Sequence, residues 1–260
     1  MPTAVVFPIH DPDNLLIPHL EAIIPILKEN FDRAYLSVSG STRARHRQWA
    51  DALAADPFFV VFAQKGNGPV GDRFAALYRQ TVLASTPAQV LHLVSLDRLA
   101  FALETRYRSR FLMDVHAVRE DDLPLIFQRS PKAWGTHPRN YYEIESFVTR
   151  VGRILFGKSL DYAWCHLVLT ASTLAEILPQ VHNHDLSMVA EMVLLLQEGI
   201  RTREVDWLAW EDPFILGRGA RELKRERQAS LAEVDKRLAY VLPMVAALQR
   251  HARGKAAGQT

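Results

Sequence analysis

The chain has 260 residues, of which 48% are apolar and 23% are charged, and its formal net charge is +2. This composition predicts a globular protein with one large domain, or a domain with a small appendage, and the near balance of charges does not indicate a nucleic-acid partner. A single cysteine excludes a disulfide framework, the first residues lack a secretory pattern, and no apolar run approaches the roughly 20 residues that span a bilayer, so we expect a soluble cytoplasmic protein.

The first hundred residues alternate short apolar runs with segments of helical periodicity. Strands are predicted at 3–9, 33–40, 58–64 and 90–96, and helices at 15–31, 42–56 and 72–85. This alternation favours a largely parallel sheet covered by helices. Ligands of such sheets bind beyond the carboxyl ends of the strands, so the residues that follow each strand are the candidate site residues.

The pattern loosens after residue 98. We predict a helix at 99–118, a strand at 123–129, a mobile loop at 130–140, a helix at 141–157, a strand at 162–171, helices at 172–181 and 183–199, and a strand at 200–210. Residues 220–253 read as one long amphipathic helix or a pair, followed by a disordered tail. We therefore divide the chain into a domain at 1–217 and a helical C-terminal extension at 218–260.

The C-terminal extension carries an apolar stripe. Its members share one helical face and are Leu231, Val234, Leu238, Val241 and Leu242. We expect this face to pack on its own domain, and the alternative is a homo-oligomer formed through the helix. Two basic stretches, 41–47 and 218–227, are interpreted as solvated helix faces, with contact to an anion as the other possibility.

A glycine-rich turn precedes the third helix. Gly66, Gly68 and Gly71 have G-x-G-x-x-G spacing between a strand and a helix, where the backbone can approach a ligand closely and the helix N-terminus favours an anion. The dinucleotide fingerprint normally lies in the first strand-helix unit, whereas this is the third. Asp72 and Arg73, at the helix start, could contact a diphosphate or cap the helix.

An acid and a base, Asp97 and Arg98, end the fourth predicted strand. An acid at the carboxyl end of a central parallel strand stands where a divalent cation or a ribose hydroxyl would be held. The alternative is that Asp97 caps a helix beginning at Leu99.

A third cluster lies further along the chain. His182, His184 and Asp185 precede a helix, and Glu211 and Asp212 follow a strand. Histidine and carboxylate together suggest metal binding or general-base chemistry, although the spacing is not a closed zinc pattern. The alternative is a helix-capping aspartate among surface histidines. The lone Cys165 is interpreted as a buried structural thiol.

These constellations, in this order, resemble the GT-A glycosyltransferases over residues 3–212. "VVFPIHDPDN" is similar to the family's first strand, "GNGPVGDRFAALYRQ" to its glycine-bearing turn, and "VSLDRL" to the strand that carries its DXD motif. The resemblance is nearest to the mannosylglycerate synthase type, which has a helical C-terminal extension. It implies a Rossmann-like, mostly parallel mixed sheet flanked by helices. It also implies transfer of a sugar from a nucleoside-diphosphate sugar to a small-molecule or glycan acceptor.

The resemblance also implies site residues. Those expected to bind the sugar nucleotide are Pro8, His10, Asp11, Gly66, Gly68, Asp72, Arg73 and Asp97. Arg73 or Arg98 would stabilise the leaving diphosphate, and Asp185 would position or deprotonate the acceptor hydroxyl.

The DXD motif is degenerate, because it reads Ser95, Leu96, Asp97 and lacks the first acid. One possibility is that Asp97, Glu211 and Asp212 hold Mg²⁺ or Mn²⁺; another is that Arg98 supplies positive charge in place of a metal. A third possibility is a noncatalytic ligand-binding or scaffolding protein of the same fold. A different α/β enzyme, such as a nucleotidyltransferase, would need an equivalent acid pair.

Overall fold

The computed structural model describes residues 3–64, 69–163 and 166–257, without the side chains of 255–257. The strands that it describes belong to one sheet and are β1 (Thr3–Ile9), β2 (Arg33–Val38), β3 (Phe59–Ala63), β4 (Val90–Val94), β5 (Leu125–Arg129), β6 (His166–Thr170) and β7 (Arg201–Val205). The glycines Gly66 and Gly68, and Cys165, lie outside the described residues.

The helices cover both faces of the sheet. Those before β5 are α1 (Ile17–Asn30), α2 (Gly40–Arg45), α3 (Arg47–Ala55), α4 (Val70–Ala84), α5 (Leu96–Glu104) and α6 (Arg108–His116). Those after it are α7 (Pro131–Thr136), α8 (Arg139–Phe156), α9 (Ala171–Ile177), α10 (Met188–Leu196), α11 (Asp212–Ile215), α12 (Ala220–Ala229) and α13 (Leu231–Ala257). No helix within the described ranges is long and apolar enough to cross a membrane.

The sheet has the order β3-β2-β1-β4-β6-β5-β7, and β6 runs antiparallel to both of its neighbours. The remaining pairs are parallel, which confirms the predicted mostly parallel mixed sheet. All five residues of β4 are buried, because helices cover both faces of this central strand. Every strand except β6 therefore ends at the same edge of the sheet, which we call the carboxyl edge.

Two hydrophobic cores lie on opposite faces of the sheet. On one face, α4, α9, α10 and α13 pack around residues such as Leu91 and Leu93 of β4. On the other face, α1, α5 and α6 pack around residues such as Val90 and Val94 of the same strand. The alternation along β4 thus supplies both cores from a strand whose sequence is apolar almost throughout.

Several predicted elements differ from the structure at their ends. The segment 99–118 is two helices, since Thr105 is extended, and the first of them begins at Leu96 instead of Leu99. The segment 42–56 is likewise divided at His46. The helix predicted at 183–199 begins only at Met188, because the preceding residues form a loop.

The prediction of a mobile loop at 130–140 was wrong. It contains α7, whose N-terminus is capped by the Ser130 hydroxyl, which accepts a hydrogen bond from the Ala133 amide at 3.1 Å. Pro131 stands at the first helical position, where its missing N–H costs nothing. The predicted tail is also partly helical, since α13 continues to Ala257.

The C-terminal extension folds as a pair of helices that meet at Ser230, and α13 packs along α8 and α10. Val241 and Leu248 of α13 are buried in the core, whereas Leu231 and Leu242 of the predicted stripe are 79% and 57% exposed. The expected packing of the extension on its own domain is thus confirmed for the middle of α13. A homo-oligomer formed through the exposed part stays a prediction.

A buried ionic network joins β5, α8 and α13. Arg129, at the end of β5, donates to both carboxylate oxygens of Asp161 at 2.8 Å and to Glu145 of α8 at 2.5 Å. The second oxygen of Glu145 accepts from Arg237 of α13 at 2.8 Å and from the Tyr240 hydroxyl at 2.6 Å. Each charge in this interior is matched, which is the condition under which buried charges are tolerated.

We predict that Glu145→Gln destabilises the protein by about 3–5 kcal/mol, because it leaves Arg129 and Arg237 buried without their shared carboxylate. Urea unfolding at pH 7 measures this difference. Glu143→Gln, in the same helix, is the matched control. It removes an exposed pair with Arg139 and should change the free energy of unfolding by about 0.5 kcal/mol or less.

The effect of Glu145→Gln should depend on pH. Burial alone would raise the pKa of Glu145, but Arg129 and Arg237 outweigh burial and lower it from 4.5 to about 2. An acid whose pKa is lowered by folding stabilises the native state above its unfolded pKa and loses this contribution as the pH falls. The difference between wild type and variant should therefore shrink between about pH 4.5 and pH 2. A difference that stays constant over this range would contradict the assignment.

Candidate functional site

The site lies at the carboxyl edge, in a cavity of about 280 Å³ that we call the central cavity. Its polar lining comes from the end of β4 and the start of α5, from the segment after β7, and from β5, α8 and α13. These residues are Ser95, Asp97, Arg98, Arg129, Glu145, Glu211, Lys236, Arg237 and Tyr240. Residues far apart in the sequence meet here because parallel strands place their ends at one edge.

Asp97 lies in the first turn of α5, one residue inside the helix, while Ser95 occupies the N-cap position. The alternative interpretation, that Asp97 caps a helix beginning at Leu99, is therefore wrong. Its Oδ1 accepts a hydrogen bond from the Arg98 amide at 2.8 Å, and the side chain lines the central cavity. Burial raises the pKa of this carboxyl, and the nearby Arg98 guanidinium partly opposes the rise.

Arg98 reaches across the cavity to the segment after β7. Its Nη1 lies 2.5 Å from Oε2 of Glu211 and donates to the carbonyl oxygen of Ala209 at 3.1 Å. Burial of Glu211 raises its pKa to about 8, because Asp97 and Asp212 add to the effect of burial while Arg98 opposes it. Three predicted residues, Asp97, Arg98 and Glu211, are thus brought together, and Asp212 is close enough to influence both acids.

A residue that the sequence did not indicate, His137, also lies beside Nη1 of Arg98. Its Nε2 lies 3.4 Å from Arg98 Nη1, and its Nδ1 lies 3.0 Å from the carbonyl oxygen of Ala133. Burial keeps the pKa of His137 well below its usual range, and Arg98 and Arg129 lower it further, so the ring is neutral. A neutral ring that donates from Nδ1 to Ala133 can accept from Arg98 at Nε2.

The predicted metal ligands do not form a metal cage. Across the described ranges, no three histidine, cysteine or acidic side chains are grouped so that they could hold a metal ion. Glu211 is engaged by Arg98, and Ser95 supplies a neutral hydroxyl where a second acid would stand. Mg²⁺ is commonly held by one or two carboxylates together with substrate phosphates, and Glu211 is already paired with Arg98, so the expected ion would have to compete with this guanidinium.

The glycine turn and the histidine cluster meet at the start of α4. The Gly71 amide donates to the carbonyl oxygen of His184 at 2.9 Å, and a Cβ built on Gly71 would lie 2.4 Å from the carbonyl oxygen of Asp185. The His184 ring also pairs with the Asp72 carboxylate at 2.6 Å, and this raises the pKa of His184. Because Gly71 has no side chain, the start of α4 can pack closely against the backbone of His184 and Asp185.

The predicted acceptor residue Asp185 is exposed and bonded to the start of α10. Its Oδ1 accepts from the amide of Ser187 at 2.8 Å and from the Ser187 hydroxyl at 2.5 Å. Its neighbour Leu186 lines the central cavity. The alternative interpretation, an aspartate at the N-cap, is wrong, because Ser187 occupies the N-cap of α10 and Asp185 stands two residues before it. A role of Asp185 toward an acceptor stays a prediction.

At the end of β1, Asp11 is 3% exposed, and its carboxylate accepts from three backbone amides, those of Leu15, Leu16 and Ile17, at 2.7–2.8 Å. This side chain ties down the entry to α1, and its predicted contact with a nucleotide has no support in this geometry. His10 is exposed at the carboxyl edge, where its Nδ1 lies 3.0 Å from the Ser39 hydroxyl.

A second pocket of about 450 Å³, which we call the outer pocket, lies between α4 and the ends of β2 and β3. It is lined by Asp72 and Arg73 of the predicted site, and by Ser37 and Gln64. Ser37 Oγ, Gln64 Nε2 and Arg73 Nε are buried and have no hydrogen-bond partner among the described residues. Buried polar atoms of this kind require a partner, so the outer pocket suits a polar ligand or water.

A third cavity, of about 660 Å³, lies between β5, α7 and α8 on the other side of Arg129, and we call it the β5 cavity. Trp134 and Tyr142 form an aromatic wall with their ring centroids 5.3 Å apart, and Arg150 and Lys224 line the same space. Aromatic and cationic side chains together suit a small hydroxylated molecule that carries negative charge.

No protein-family model matches the chain, and no curated protein matches it significantly. Its fold is nevertheless similar to a solved structure, glucosyl-3-phosphoglycerate synthase from Mycobacterium tuberculosis in complex with uridine diphosphate. The TM-score is 0.58 at 11% identity, and the match covers 96% of this chain and 80% of that one. The chain has the GT-A fold. At this identity the similarity establishes the fold, which the sequence had predicted.

We predict that Gly71→Ala destabilises the protein by about 1–3 kcal/mol, because the new methyl group would overlap the backbone of His184 and Asp185. Gly135→Ala, in α7, is the control, since nothing lies within 4 Å of its Cβ position and alanine favours the helix. Chemical unfolding of both variants measures the difference. Equal stability of the two would contradict the close approach at Gly71.

Proposed function

We propose that the protein is a glycosyltransferase that moves a sugar from a nucleoside-diphosphate sugar to a small-molecule or glycan acceptor. The observation that carries this proposal is the convergence of Asp97, Arg98 and Glu211 in a cavity at the carboxyl edge of a GT-A sheet. A solved protein of the same fold binds uridine diphosphate, which supports a diphosphate ligand for this edge.

The reaction would exchange one carbon–oxygen bond for another. The bond between the anomeric carbon and the diphosphate oxygen breaks, and its electron pair leaves with the diphosphate. The acceptor hydroxyl oxygen forms the new bond to the anomeric carbon and loses its proton to a base or to water. Negative charge therefore accumulates on the diphosphate, and a fixed cation beside it lowers the barrier.

The position of each described residue suggests its role in this reaction. Arg98 stands where the departing diphosphate would gather charge, and Asp97 can accept hydrogen bonds from sugar or ribose hydroxyls. Pro8 and His10, at the end of β1, would contact the nucleoside. Arg73 would reach the nucleotide from the outer pocket, where its Nε lacks a partner among the described residues.

The acceptor would enter from the side of the β5 cavity. This cavity and the central cavity are both lined by Arg129, so the reacting hydroxyl of an acceptor held in the β5 cavity would have to extend past this side chain into the central cavity. Arg150 and Lys224 would favour an acceptor with a carboxylate or phosphate group, and Trp134 would cover its apolar side. In this arrangement Asp185 would not contact the reacting hydroxyl. It would instead hold the loop before α10 in place.

A noncatalytic protein of the same fold is the second candidate, and Ser95 is the observation that favours it. A protein that binds a nucleotide without transferring the sugar would keep Arg98 and Asp97 for binding. Hydrolysis or transfer assays with bound sugar nucleotides separate the two, since only an enzyme releases the nucleoside diphosphate.

Thermal-shift screening with UDP, GDP and their sugars, with and without Mn²⁺, tests the proposal. A ligand at 100 times its Kd should stabilise the native state by about 2.7 kcal/mol. Asp97→Asn should weaken the stabilisation, because it removes a charged acceptor that lines the central cavity. Asp51→Asn, at an exposed ion pair on α3, is the control and should leave it unchanged. If no nucleotide or sugar nucleotide stabilises the protein, the proposal fails.

A further inference from the structure

Arg98 lines the central cavity beside the carboxylates that are expected to ligate a divalent cation. Two of the expected metal ligands, Asp97 and Glu211, lie beside Arg98. Its backbone amide donates to Asp97 Oδ1 at 2.8 Å, and its guanidinium lies 2.5 Å from Glu211 Oε2. A metal ion bound between them would have to displace the guanidinium from Glu211 Oε2. Ser95 adds no charge to attract such an ion.

The guanidinium is also fixed in place. Nη1 donates to Ala209 at 3.1 Å and lies 3.4 Å from Nε2 of His137, which the protein holds by its other ring nitrogen. The side chain of Arg98 is 11% exposed and still lines the cavity, so a ligand there would meet a positioned cation. A preorganised charge stabilises an anion without the cost of reorganising the site.

The charges around the cavity favour an anion. Four cationic side chains line it, Arg98, Arg129, Lys236 and Arg237, against three carboxylates, Asp97, Glu145 and Glu211. Arg129 and Arg237 share Glu145, and Arg98 is paired with Glu211, so each of these guanidiniums would meet a ligand already held in position, and Arg98 is the one that adjoins the end of β4. Lysine and arginine are the residues that commonly bind diphosphate groups.

We propose that the Arg98 guanidinium, positioned by His137 and Glu211, replaces a divalent metal ion as the cation that binds the diphosphate, so that nucleotide binding is independent of metal. This inference rests on the proposed function. It assigns Arg98 direct contact with the diphosphate and His137 a positioning role.

Isothermal titration of UDP and GDP into the full chain, in EDTA and in Mn²⁺, tests the inference. The affinity for the nucleotide that binds should agree within about threefold between the two conditions. Arg98→Gln should weaken binding about tenfold or more in both, which is the loss expected for a charge-assisted contact. Arg201→Gln, which removes an exposed cation at the start of β7, is the matched control and should leave the affinity unchanged.

The outcomes separate the inference from the proposed function. Binding that requires Mn²⁺, or that survives Arg98→Gln, would overturn the inference while the proposed function stands. Absence of binding in both conditions would refute the proposed function and the inference with it. Arg98→Gln leaves Glu211 buried without its cation, so Arg98→Gln/Glu211→Gln, which removes both charges, repeats the test in a neutral background. Loss of UDP or GDP affinity in this folded double variant supports the inference, and retained affinity overturns it.

A direct measurement of metal binding completes the test. Mn²⁺ titrated into the full chain without nucleotide, followed by electron paramagnetic resonance, should remain in the free form at micromolar concentrations. Tight binding that disappears in Asp97→Asn would show that the acids hold a metal, against the inference. His137→Ala should weaken binding of the nucleotide less than Arg98→Gln does, because it loosens the guanidinium without removing its charge.

Discussion

The buried contact between Arg129 and Glu145 is the interaction on which the rest of the site depends. Arg129 ends β5, and Glu145 lies in the second turn of α8, so their 2.5 Å contact fixes the helix against the carboxyl edge of the sheet. Glu145 then binds Arg237, which fixes α13 against α8. One carboxylate between two guanidiniums therefore holds a strand and two helices in a single arrangement.

This arrangement makes the C-terminal helix part of the cavity wall. Lys236, Arg237, Tyr240 and Met244 of α13 face the end of β4, and their approach limits the central cavity to about 280 Å³. Arg237 also lies 3.2 Å above the ring of Tyr141, whose hydroxyl donates to Glu233 of α13 at 2.5 Å. The network thus sets both the stability of the α8–α13 pair and the space that a ligand can enter.

The same network separates two cavities. Arg129 lines the central cavity and the β5 cavity, and its guanidinium lies 3.6 Å above the ring of Trp134, which belongs to the wall of the second. A ligand that displaced Arg129 would therefore change the shape of both cavities. The bonds to Asp161 and Glu145 hold the Arg129 guanidinium in position at the boundary of the two cavities.

The order of strands and helices could be predicted from the sequence because the strands are buried on both faces and the helices have one apolar face. Asp97 and Arg98 were recognised because they end a strand in a parallel series. The ends of the helices were harder to predict from the sequence. The segment 130–140 was interpreted as a loop, whereas Pro131 stands in the first positions of α7, where proline is favourable, and Pro138 is the N-cap residue of α8.

The partners of the site residues could not be predicted, because they are distant in the chain. Glu145 lies 16 residues from Arg129 and 92 residues from Arg237, and Arg98 meets Ala209 across 111 residues. No local pattern marks such pairs, since the topology of the sheet alone brings them together. His137 was missed for the same reason, as its role depends on Arg98, 39 residues away.

The absence of an acid at Ser95 and the presence of Arg98 have a common physical explanation. Two carboxylates at the end of a buried strand repel each other unless a cation stands between them, and a dissociable metal ion is one way to supply it. Here the cation is covalently part of the chain and remains charged at every physiological pH. Two carboxylates already exceed the charge that one guanidinium balances, and the pKa of both acids is raised. A third acid at position 95 would add to this repulsion, and the serine avoids it while lining the cavity with a neutral hydroxyl.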